Sequence, residues 1–78
     1  MKIGEEKTLL EIIQEIAQGK IKKDLDLHYE WGLRYRLYID TLRLIAYNGT
    51  GLMAGKVLND KFRLEGYYKE GSQIWNLH

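Results

Sequence analysis

The hydrophobic period of this chain changes once, near Lys20, and that change constrains the fold more than any other feature. Before it, Leu9, Ile12, Ile13 and Ile16 recur at helical spacing and make one apolar stripe. Thr8 and Glu11 match a capping box, and Gly19 supplies a residue able to end a helix in the left-handed conformation. Glu5 and Glu6 precede the stripe, while Lys20, Lys22 and Lys23 follow it, the charge order that suits a helix dipole. The spacing predicts a helix over Thr8 to Gln18.

After Lys20 the period falls to two. Leu25, Leu27, Tyr29 and Trp31 alternate with Asp24, Asp26, His28 and Glu30. Leu33, Tyr35, Leu37 and Ile39 alternate with Arg34, Arg36, Tyr38 and Asp40. The pattern continues through Leu42, Leu44 and Ala46, and again at Phe62 and Leu64. Such alternation marks strands with one buried and one wet face. Asp40-Thr41 and Asn48-Gly49 are predicted turns, the second a strong hairpin signal. Leu52 to Leu58 is expected as the return strand and Asn59-Asp60 as the next turn. Glu70 onward reads equally as a last strand or as an arm docking on a neighbour.

These elements predict an α+β fold: an N-terminal helix packed on a small antiparallel sheet of four to five strands. The 78 residues form a single domain, with the helix at about 8–18, strands from about 21 to 68 and a tail over 70–78. A core this small needs support. With no cysteine, neither disulfides nor thiolate zinc sites can supply it. Good packing or homo-oligomerisation remains, so a homo-oligomer is expected.

Twelve Lys+Arg against 11 Asp+Glu leave a formal net charge of +1. That gives no global field toward nucleic acid or acidic membranes. No apolar run is long enough to cross a bilayer, and the acidic start is unlike a signal peptide. The expectation is a soluble, cytoplasmic protein with no membrane partner.

Two glycine-rich near-matches fail on context. Gly49, Gly51 and Ala54 fit a dinucleotide fingerprint literally, and Gly55-Lys56 is reminiscent of a phosphate loop. Neither is followed by the helix those motifs require, and Thr50 and Val57 stand where the phosphate loop needs Gly and Ser or Thr. The stretch reads as a glycine-rich hairpin. Asp24, Asp26, His28 and Glu30 share one strand face and offer ligands of metal-binding type, but no second cluster accompanies them, so a solvated face is favoured. Ser72 is the only serine, and no nucleophile–base–acid arrangement can be argued. The reading is a non-enzyme with no cofactor and no metal.

The richest set is Arg34, Arg36, Tyr38, Arg43, Tyr47 and Arg63, on the wet faces of the predicted strands. Arginines interleaved with tyrosines grip phosphates, stack on bases and also dominate protein-binding surfaces. The competing reading is ordinary cross-strand pairing with Asp40 and Glu65. Arg34, Arg36, Tyr38, Arg43 and Tyr47, with Asn48 and Gly49 of the turn, are the candidate ligand-binding residues.

Two stretches carry a family resemblance: Ile13-Gln14-Glu15-Ile16-Ala17-Gln18-Gly19-Lys20 and Leu58-Asn59-Asp60-Lys61-Phe62. Their layout, from about Thr8 to Tyr68, resembles the small phage proteins of the Thoeris anti-defence group, which sequester a cyclic nucleotide signal. The resemblance implies a phage or prophage accessory protein in the host cytoplasm, a homo-oligomer with ligand pockets between subunits and no catalysis. Here Ile21-Lys22-Lys23-Asp24 stands where that layout places a tryptophan and a glycine-asparagine turn, and no binding residue is carried over. The alternatives from the residues themselves are a protein-directed inhibitor of a bacterial defence system, of anti-CRISPR type, and a small nucleic-acid-binding module.

Overall fold

The computed structural model describes residues 1–68. The expectation for the tail from Glu70 lies outside the described residues. The elements run β1 (Glu6–Thr8), α1 (Leu9–Ala17), β2 (Leu25–Tyr29), β3 (Leu33–Tyr38), β4 (Arg43–Ala46), β5 (Gly51–Leu52) and β6 (Lys61–Tyr67). Short 3-10 turns occupy Glu30–Gly32 and Ala54–Lys56.

The helix begins and ends where its local chemistry dictates. The Glu11 amide donates to the Thr8 hydroxyl while the Thr8 amide donates to the Glu11 carboxylate, so the capping box is complete. The Thr8 amide first, and then the Thr8 hydroxyl, both donating to the Glu11 carboxylate, hold it below its usual range. At the other end Gly19 takes φ +78°. Its amide donates to the Ile16 carbonyl at 3.0 Å and the Lys20 amide to that of Glu15 at 2.9 Å, the paired bonds of a Schellman ending.

The sheet has six strands in the order β1-β6-β2-β3-β4-β5, and every pairing is antiparallel. This is the expected α+β fold with one strand more than anticipated. The addition is β1, whose Glu-Lys-Thr sequence carries no alternation to reveal it. Leu52 to Leu58 is not a full return strand. Only Gly51–Leu52 pair with β4, and Ala54–Lys56 form a 3-10 turn. The first run of alternation also ends early, at Tyr29, before the turn at Glu30–Gly32.

The Asn48-Gly49 hairpin forms, with three loop residues instead of two. The Gly49 amide donates to the Ala46 carbonyl at 2.8 Å, the Ala46 amide to that of Thr50 at 2.7 Å, and Gly49 sits at φ +93°. That is a type I turn closed by a left-handed residue. The turn over residues 39–42 ends similarly on Leu42, at φ +55°.

One face of the sheet carries the core: Leu25, Leu27, Leu37, Leu44, Phe62 and Leu64, all almost fully buried, meet Leu9 and Ile12 of α1. A nine-residue helix does not cover six strands. The connection from β5 to β6 completes the cover, placing Val57 in the core with Ala54 and Leu58 against it. Its carbonyls also anchor the helix: the amides of Leu9 and Leu10 donate to Asp60 and Leu58 at 3.0 and 2.9 Å. The Tyr29 hydroxyl donates to the Asp60 carboxylate beneath them.

A candidate ligand-binding face

No described helix or strand packs on the opposite face of the sheet. Alternation sends Glu6, Arg63, Asp26, His28, Arg34, Arg36, Tyr38, Arg43 and Ile45 to it, because directly opposed residues share a face. The expectation that the arginines and tyrosines lie away from the core therefore holds in the geometry.

The centre of this face is tied to itself. Asp26 stands opposite Arg36, and its Oδ1 accepts from Arg36 Nε at 3.2 Å. The Arg36 guanidinium lies over the Tyr68 ring and 5.8 Å from the centroid of the Tyr47 ring. Arg36 is consequently only 2% exposed. The ion pair and the two rings compensate the charge that burial would otherwise make costly. Arg36 is thus part of the scaffold, not an exposed grip. Tyr47 remains 51% exposed. The packed part of its ring, and then a hydrogen bond to Asp26, push its phenol up from the ordinary range.

Two further regions flank this centre. On one side Tyr38 stands opposite Arg43, and with Asp40, Thr41 and Ile45 they line a shallow groove of about 360 Å³. On the other side lie Arg34, exposed, and Arg63, opposite His28. The structure therefore gathers Tyr38 with Arg43, and Arg36 with Tyr47, but it does not bring all the candidates into one pocket. Asn48 and Gly49 serve the hairpin, the Asn48 side chain accepting from the Thr50 amide at 3.0 Å.

The Asp24–Glu30 row does not converge. Asp24 accepts from the Ile39 amide at 3.0 Å, Asp26 holds Arg36, and His28 Nδ1 meets Arg63 at 2.8 Å. Among the described residues no three His, Cys, Asp or Glu side chains gather as a metal site would require. Arg63 pairs with Glu65 two positions along the same strand, Nε to Oε2 at 3.2 Å, and not across strands as the competing reading expects.

Tyr68 over Arg36 and His28 beside Arg63 were not legible as contacts in the sequence. Both depend on β6 returning beside β2, a long-range pairing that no local pattern encodes. No family model, curated protein or solved structure matches this chain. No helix among the described residues is long and apolar enough to cross a membrane.

Proposed function

We propose that the protein is a non-catalytic binder that captures a cyclic nucleotide on the open face of its sheet, an anti-defence role of the kind its layout implies. The observation that carries this reading is the Tyr38–Arg43 groove. It sets a tyrosine opposite an arginine, with Asp40 and Thr41 also in its lining. A base stacks on the ring and a phosphate meets the arginine, each contact of a type worth roughly 1–3 kcal/mol.

The groove is shallow, so a second copy is the natural means of closing it, and the far edge of the sheet supports a homo-oligomer. Gly51 to Gly55 carries no charge, Met53 is 67% exposed, and a depression of about 420 Å³ runs beside them. Leu52 faces Leu44 in the register fixed by the Ala46–Thr50 bond, so the Gly51 N–H and C=O point outward. The opposite edge, Glu6–Thr8, is charged, the usual protection against edge pairing.

Calorimetry against a panel of cyclic nucleotides tests the reading. Saturable heat with at least one of them is expected, weakened about tenfold by Arg43→Gln. No heat from any at tens of micromolar protein rejects it. The same edge favours a second reading, a protein-directed inhibitor. Recovery of a stoichiometric defence protein from a bacterial lysate, without nucleotide heat, selects that one.

A further inference from the structure

We infer that Arg34, His28 and Arg63 form a second anion site on the open face, separate from the Tyr38–Arg43 groove, that takes a phosphate group. The three residues belong to adjacent strands, and the register sets His28 directly opposite both arginines. Opposed side chains on one face start about 5 Å apart at Cβ, so the two arginine Cβ atoms flank that of His28 across about 10 Å. The two arginines stand on the strands either side of His28, so an oxyanion held at the row meets positive charge from both sides.

The contacts set the donors. A guanidinium only donates, so the 2.8 Å contact from Arg63 makes His28 Nδ1 an acceptor. With Nδ1 accepting from Arg63, Nε2 is the ring nitrogen left to donate, and it adds a third donor to the row. Arg63 commits one N–H to His28 and one to Glu65 at 3.2 Å among the described residues, of the five its fork carries. Arg34 is exposed and forms no ion pair with another described residue. The carboxylates around the row are Glu65, paired with Arg63, Glu6, opposite Arg63 on the outer strand, Asp26, two positions from His28 and paired with Arg36, and Glu30 in the turn from β2 to β3. A tetrahedral phosphate, with several oxygens accepting at once, suits converging arginine forks and an imidazole N–H better than a carboxylate or a halide does.

The test follows the His28 imidazole resonances by NMR at constant ionic strength, assigned against His28→Gln. Inorganic phosphate, a nucleoside 5′-monophosphate and chloride are titrated separately. Saturating shifts with inorganic phosphate and not with chloride are expected at millimolar concentration, weakened about tenfold in Arg34→Gln. Tighter saturation by the monophosphate supports the site and names a nucleotide as the source. Equal saturation supports it with the phosphate group alone as the ligand. Linear shifts, or the same response to chloride, overturn it. Arg43→Gln separates the two sites. It leaves the His28 response unchanged here, whereas it weakens the cyclic nucleotide heat at the groove.

Discussion

At the scale of single residues, the same side-chain type does different work according to what its neighbours supply. Arg36 and Arg34 are two positions apart on one strand and on one face. Arg36 is buried because Asp26 neutralises it and Tyr47 and Tyr68 cover it, whereas Arg34 is exposed opposite a histidine. Tyrosines divide in the same way. Tyr29 stacks on Phe62 with ring centroids 4.5 Å apart and donates its hydroxyl to Asp60. That hydrogen bond, then burial, pushes its phenol up to about 12. The linkage has a definite sign. A tyrosine raised in the folded state contributes stability that is complete below its unfolded value, near 10, and is lost as pH rises from there toward 12. Denaturant midpoints measured from pH 8 to 11.5 are therefore expected to fall along the alkaline limb. Tyr29→Phe lowers the neutral-pH stability by about 1–2 kcal/mol and flattens that limb. An unchanged limb in the variant shows that the decline comes from other groups.

At the scale of elements, what the sequence discloses is what is encoded locally. The helix was legible because Thr8, Glu11 and Gly19 sit at fixed offsets and make their bonds within one turn. The strands β2, β3, β4 and β6 were legible because one face of each is wet. β1 was not, since its three residues are held by β6 and not by their own pattern. The segment after Leu52 misled for a physical reason: Val57 and Leu58 are apolar because they cover the core as a crossing connection, not because they pair. At the candidate site, parity gave the correct face for the arginines and tyrosines. It did not reveal that Arg36 is covered, because that depends on Tyr47 in a hairpin and Tyr68 beyond β6.

The Asn48-Gly49 hairpin gives a clean test of local encoding. A β-carbon added at Gly49 meets nothing within 4 Å, yet the backbone stands at φ +93°. Gly49→Ala therefore costs only the left-handed strain, roughly 1–2 kcal/mol. Gly55 has equal room without a positive φ, and Gly55→Ala is expected to be neutral or slightly stabilising. Thermal melts of the two variants decide the matter, and equal midpoints would mean that the turn relaxes to accept alanine.

At the scale of the molecule, the two sheet faces and the two sheet edges are unequal, and the inequalities point the same way. One face is spent on a core that a short helix and a crossing connection together close. The other face carries charge arranged around a buried, ion-paired arginine, which leaves the exposed groups on ordered strands and suits recognition. One edge is charged and the other is bare. A bare edge with an outward Gly51 amide and an exposed Met53 is where the homo-oligomer proposed above would pair, in antiparallel fashion, adding buried area to a small core. The proposed homo-oligomer then has a specific seam. Sedimentation at about 100 μM is expected to give at least twice the monomer mass, with a thermal midpoint that rises with protein concentration. Met53→Lys places a charge on that edge without touching the buried core. It is expected to return the protein to a monomer with a concentration-independent midpoint. If the unmodified protein sediments as a monomer, the seam is absent, and any nucleotide must be held by the Tyr38–Arg43 groove of one subunit. If it is an oligomer that Met53→Lys leaves intact, the subunits meet elsewhere, and the open face with its two arginine clusters becomes the surface to mutate next.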